Sequence, residues 1–177
     1  MDCYNSPVQK KLPIRWFLLL AILAGFLIPL ARVSAAQPLA RSEQTGGISA
    51  YDLIIAMNTL RVSYGNHALV EDPIIDAVAQ STAEIMAANE MSWHIGNVPG
   101  RLASACYGGG SKVWATENFA VGNFESIDQV MIIWSDASHM LPAVTPAYCN
   151  IGAGVAKSPN GMTYYVLQAA YTQKGSC

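Results

Sequence analysis

The chain has 177 residues, 52% of them apolar and only 12% charged, with a net charge of −2 and four cysteines. That length suits one domain, whose core can bury about two thirds of the surface its unfolded chain exposes. The few lysines and arginines form no stripe and do not alternate with aromatics, which excludes a nucleic-acid-binding face and gives anionic lipid headgroups nothing to attract.

Lys10, Lys11 and Arg15 precede the uncharged apolar run Trp16 to Ala31, after which Val33-Ser34-Ala35 offers the small residues a signal peptidase needs. Residues 1–35 therefore read as a secretory signal, and the product as extracellular. The run falls short of the ~20 residues of a stable membrane-crossing helix, and Pro29 interrupts its end; the alternative is an uncleaved anchor holding the domain on the outer face of the membrane. Without residues 1–35 the net charge falls from −2 to −5, because four basic residues leave with one acid. Residues 36–47, with Pro38, Gly46, Gly47 and no apolar period, read as a linker, and 48–177 as the folded domain. Cys3 departs with the signal. Cys106, Cys149 and Cys177 then meet an oxidising compartment, which predicts one disulfide and one free thiol. Three pairings are open, with Cys149–Cys177 favoured because both flank a predicted hairpin.

Within the domain, Ser49 and Asp52 form a capping-box pattern ahead of Leu53, Met57, Leu60 and Tyr64 at helical spacing, and Gly65 stops that helix. Asn58 and Arg61 inside it are expected to bind backbone rather than a ligand, and His67 to face solvent. Asp72-Pro73 opens a second helix, whose stripe from Ile75 to Met86 is rich in small residues suited to close packing. It ends near Glu90, just before Trp93-His94. Residues 95–111 hold Gly96, Pro99, Gly100 and Gly108-Gly109-Gly110 and read as a long loop. No lysine or serine follows at phosphate-loop spacing, so a nucleotide cradle is excluded.

Lys112 to Gly122 is strand-like and apolar except at Glu117-Asn118. A buried carboxylate without a partner is unfavourable, so Glu117 must face something. His94 lies before it in the chain and His139 after it. Between Glu117 and His139, Ser126 and Gln129 suggest a second capping box. Ile127, Val130, Met131 and Trp134 then recur at helical spacing, while Ile132 and Ile133 make the segment apolar nearly all round, which predicts deep packing. The tail is a hairpin, Ile151 to Lys157 and Thr163 to Tyr171, joined by Ser158-Pro159-Asn160-Gly161. Helices on an antiparallel sheet, an α+β domain, is the resulting fold class.

Together Asn58-x-x-Arg61, Leu69 with Asp72-Pro73, Ser92-x-His94, Thr116-Glu117-Asn118 with Ala120-x-Gly122, Trp134-x-x-x-x-His139 and Tyr148-x-x-Ile151-Gly152-x-Gly154 resemble the CAP superfamily of cysteine-rich secretory and pathogenesis-related proteins. The short Trp134 to His139 spacing looks like its bacterial branch. The resemblance implies an α-β-α sandwich with a central cleft lined by two histidines and acidic residues. His94 and His139 match the two histidines, Glu117 matches one glutamate, and Asp136 is the nearest acid for the other, whose position has no clear counterpart. Two imidazoles and a carboxylate suit zinc or another divalent metal at roughly 2.0–2.2 Å per ligand, with a position left for water or substrate. The simpler reading is that Glu117 accepts hydrogen bonds from the imidazoles. Trp93 and Trp114 are expected to pack around the cleft. The resemblance favours a non-enzymatic secreted module that binds a protein or a lipid. The alternative is a metal-dependent extracellular hydrolase using His94, Glu117 and His139, with a thiol variant built on Cys106.

Overall fold

The computed structural model describes residues 47–173. The signal, nearly all of the linker, and Cys177 lie outside them. Helix α1 (Ala50–Ser63) starts at Ser49, whose side chain accepts from the Asp52 amide while the Asp52 carboxylate accepts from the Ser49 amide. Strand β1 (Val70–Glu71) leads to α2 (Pro73–Ala88), capped by Asp72 through the Ile74 and Ile75 amides. Both starts follow the sequence reading. Helix α3 (Val98–Ser104) and a 3-10 turn over Tyr107–Gly110 occupy the stretch expected to be one loop. Asn97 supplies the missing start signal, accepting from the Gly100 amide at 3.3 Å.

Strand β2 (Val113–Gly122) carries Glu117, and α4 (Ile127–Ile133) and α5 (Leu141–Val144) follow. The expected capping box at Ser126 is absent. Gln129 accepts from the Glu125 amide at 2.8 Å, so the side chain that would have closed the box is engaged one residue earlier. Strands β3 (Asn150–Lys157) and β4 (Thr163–Thr172) form the hairpin. In its turn only Gly161 adopts positive φ; the Asn160 side chain instead accepts from the Ser158 hydroxyl and the Met162 amide.

The sheet runs β1-β3-β4-β2. Its long pairs are antiparallel, but β1 pairs with β3 in parallel over two residues, so the sheet is mixed. Helices cover both faces. Tyr165, Leu167 and Ala169 of β4 meet Leu53, Ile54 and Met57 of α1 with Val130 and Trp134. Tyr164, Val166 and Ala170 meet α2 and α3. This is an α-β-α arrangement. Alternation along β4 sends its side chains to the two layers in turn, and nearly all are apolar because both faces are covered.

Two features lock the layers. A Cβ on Gly152 would stand 2.4 Å from the Asp76 nitrogen, and one on Gly154 2.3 Å from the Gln80 Cα, so α2 rests directly on the backbone of β3. Beyond its short pairing with β1, β3 has an open edge, and α2 closes it with side chains. Asp76 accepts from the Ala153 amide at 3.0 Å, while Gln80 accepts from the Val155 amide and donates to its carbonyl. On the opposite layer Arg61, 2% exposed, donates to the carbonyls of His67, Pro142, Thr145, Pro146 and Tyr148. Asn58 exchanges two hydrogen bonds with the Leu69 backbone. Both residues bind backbone, as expected.

Candidate functional site

Glu117 stands midway along β2, paired across the ladder with Gln168 of β4. Consecutive strand residues face opposite layers, so Glu117 turns toward α2 and α3 and Asn118 toward the α1 layer. The Glu117 side chain is 1% exposed. Its Oε1 lies 2.9 Å from His94 Nδ1, and its Oε2 accepts from Arg101 and from Gln168 at 2.7 Å each. Burial by itself would raise this carboxyl's pKa. The hydrogen bonds from His94 and Arg101, the Arg101 charge and the Gln168 amide outweigh that and hold it below the ordinary glutamate range. Glu117 is therefore an anion in the core layer. An ionised carboxylate only accepts, so His94 Nδ1 donates, and in the neutral imidazole Nε2 carries the lone pair. The ring also meets Phe119 edge-on at 4.7 Å and stays 41% exposed.

Arg101 was not foreseen as a site residue. It donates to the Gly96 carbonyl at 3.0 Å, to the Thr82 hydroxyl of α2 and to Glu117, so three chain segments fix its guanidinium. A signal was present in the sequence. Residues 47–173 contain only Arg61, Arg101, Lys112 and Lys157 as permanent cations, and of these Arg101 and Lys112 lie between His94 and Glu117.

His139 is placed differently. Its segment approaches β2 on the other face, where the His139 carbonyl accepts from Asn118 at 2.7 Å. Its imidazole Nδ1 pairs with Asp136, whose other oxygen accepts from the Ser138 and His139 amides. The His139 imidazole and backbone hold Asp136 below the ordinary aspartate range. The expected set thus appears as two pairs, His94–Glu117 and Asp136–His139. Among the described residues no three His, Cys, Asp or Glu side chains are grouped to hold a metal.

The donor set does not fit zinc in this arrangement. Both Glu117 oxygens are engaged, one by a cation. The two buried side-chain oxygens without a hydrogen-bond partner among the described residues, Asn118 Oδ1 and Gln168 Oε1, belong to opposite faces of the sheet and cannot complete one shell. The thiol variant also fails, because Cys106 and Cys149 are disulfide-bonded and neither is a free thiol. Trp93 does not pack around a cleft but stands 62% exposed, and Trp114 stacks on Tyr171 at 5.0 Å.

A second feature lies in the α1 layer. Helix α4 is not deeply packed. It has only two turns, Val130 alone of its residues is buried, and Ile132 is 70% exposed. The surplus apolar face of α4 borders a groove of about 810 Å³ against α1, walled by Tyr51, Ile55, Leu60 and Tyr64 on one side and Ile127, Met131 and Ile132 on the other. Asp52 and Asp128 also line it, and among the described residues no lysine or arginine does.

Residues 54–169 match the family model described as CAP, the cysteine-rich secretory protein family. Among solved structures, an outer surface protein from Borrelia burgdorferi superposes with a TM-score of 0.58 at 20% identity, covering 68% of this chain and 90% of that one. An extracellular protein containing an SCP domain from Bacillus anthracis aligns at TM-score 0.54 and 19% identity, and a cysteine-rich secretory protein from Staphylococcus aureus at 0.54 and 16%. Each of these two alignments covers 68% of this chain but only 39% and 38% of those longer proteins. No curated protein sequence matches the chain.

Proposed function

Because the chain belongs to the CAP, or cysteine-rich secretory protein, family, we propose that residues 48–177 are a secreted, non-enzymatic binding domain whose ligand is a neutral lipid seated between α1 and α4. The groove carries this reading. It joins two tyrosines, two methionines and several aliphatic side chains into one accessible apolar trough, on a protein whose other apolar side chains mostly lie inside. Contiguous exposed apolar surface of this kind marks binding sites. The charge pattern narrows the ligand. An anionic head would meet Asp52 and Asp128 with no cation in the lining, so an uncharged polar end, such as a sterol hydroxyl, fits better than a carboxylate. Outer-surface and extracellular relatives with this fold support secretion.

Native mass spectrometry of the protein after incubation with cholesterol, and separately with palmitate, tests the reading. A one-to-one cholesterol adduct is expected, in excess of any palmitate adduct and absent from Ile55→Asp, which charges an exposed wall position without touching the core. Bare protein with both lipids would sink the proposal. An Ile55→Asp adduct equal to wild type would remove the groove from it.

A further inference from the structure

We infer that Arg101 is the resident cation of the His94–Glu117 site, its guanidinium holding the position beside Glu117 that a divalent metal would take, so that this chain's site is closed to zinc. The inference is independent of the lipid groove, which lies on the other layer.

Three observations carry it. Arg101 reaches Glu117 Oε2 at 2.7 Å with a guanidinium already tied to Gly96 and Thr82, so a metal could not take that oxygen without uprooting contacts to three segments. Gln168 Nε2 fills the remaining approach to the same oxygen at 2.7 Å; turning this amide over would set its carbonyl against the carboxylate. On the other oxygen, His94 is committed through Nδ1. Its Nε2 points away from Glu117, because the two nitrogen lone pairs of an imidazole diverge across the ring. A metal on Nε2 would need further ligands, and His139 is engaged with Asp136. Charge follows the same logic. One carboxylate and one guanidinium neutralise each other, so a dication placed beside them would find no net negative charge to attract it. Arg101 is thus a positioning residue. It keeps Glu117 ionised, and Glu117 in turn fixes the His94 ring with Nε2 outward.

The test uses the full chain, labelled with nitrogen-15. Long-range imidazole spectra should show a proton on His94 Nδ1, and excess zinc sulfate should leave the His94 signals unmoved. A saturable zinc-dependent shift of His94 in the wild type would overturn the inference. Calorimetric titration of Arg101→Gln should then show zinc binding about tenfold tighter than wild type or more, and adding His94→Ala should abolish the gain. An Arg101→Gln protein with native circular dichroism and no gain would equally overturn it. Should that variant fail to fold, the wild-type imidazole spectrum decides by itself.

Discussion

Glu117 is almost inaccessible yet ionised, and this has a measurable signature. Its folded pKa is depressed, so its favourable contribution to stability is fully present above the unfolded glutamate value of about 4.3 and is lost as pH falls through its own lower value. Thermal melts of wild type and Glu117→Gln between acid and neutral pH should show the wild type ahead near neutrality, with the gap closing below about pH 4. A gap of constant size would mean that Glu117 is not held as an anion. The residue-level reading of the sequence was correct that Glu117 needs a partner and that His94 is one. It did not find Arg101 or Gln168, because a guanidinium from a loop and an amide from the neighbouring strand reach the same oxygen only after the sheet registers Glu117 opposite Gln168.

At the scale of elements, the contact between α2 and β3 depends on the absence of side chains. Gly154→Ala would drive a methyl group into the Gln80 backbone, and backbone cannot swing aside as a flexible side chain does. The expected loss is about 3 kcal/mol, at the upper end of small-to-large overpacking. Chemical denaturation should show it as a lower midpoint at unchanged slope; a loss below ~0.5 kcal/mol would mean that the layers separate easily. Helix α4 makes the converse case. Its apolar residues at every angle read as burial, but a seven-residue helix meets the core along one face only, and the others remain for α1's groove. Periodicity reports which residues avoid water and leaves open whether protein or ligand covers them. The hidden α3 was lost to its own Gly100 and Pro99, although Pro99 sits in the first turn, where it is tolerated.

At the scale of the whole molecule, the cysteines are the covalent feature that can be tested. Cys106 and Cys149 are both disulfide-bonded, while Cys177, the partner favoured for Cys149, lies outside the described residues. Iodoacetamide added to the native protein should leave both Cys106 and Cys149 unmodified, and reduction should expose them while lowering stability by about 2–5 kcal/mol. Labelling of either cysteine before reduction would contradict the disulfides. Among the described residues no helix is long and apolar enough to cross a membrane.

The α+β class, the helix starts at Ser49 and Asp72, the hairpin, the family motifs and the need of Glu117 for a partner were all legible in the chain, because each rests on local chemistry: capping side chains, periodic burial, turn residues and the high desolvation energy of a lone carboxylate. Which partners Glu117 received was decided in three dimensions. A one-residue step along β2 reverses the face a side chain takes, and that step directs Glu117 to His94 and Arg101 while Asn118 takes the segment of His139. Residues that are neighbours in a list of motifs were thereby assigned to opposite layers of the sheet. The groove between α1 and α4 likewise exists only where two helices distant in sequence lie side by side, each with more apolar surface than the core could cover.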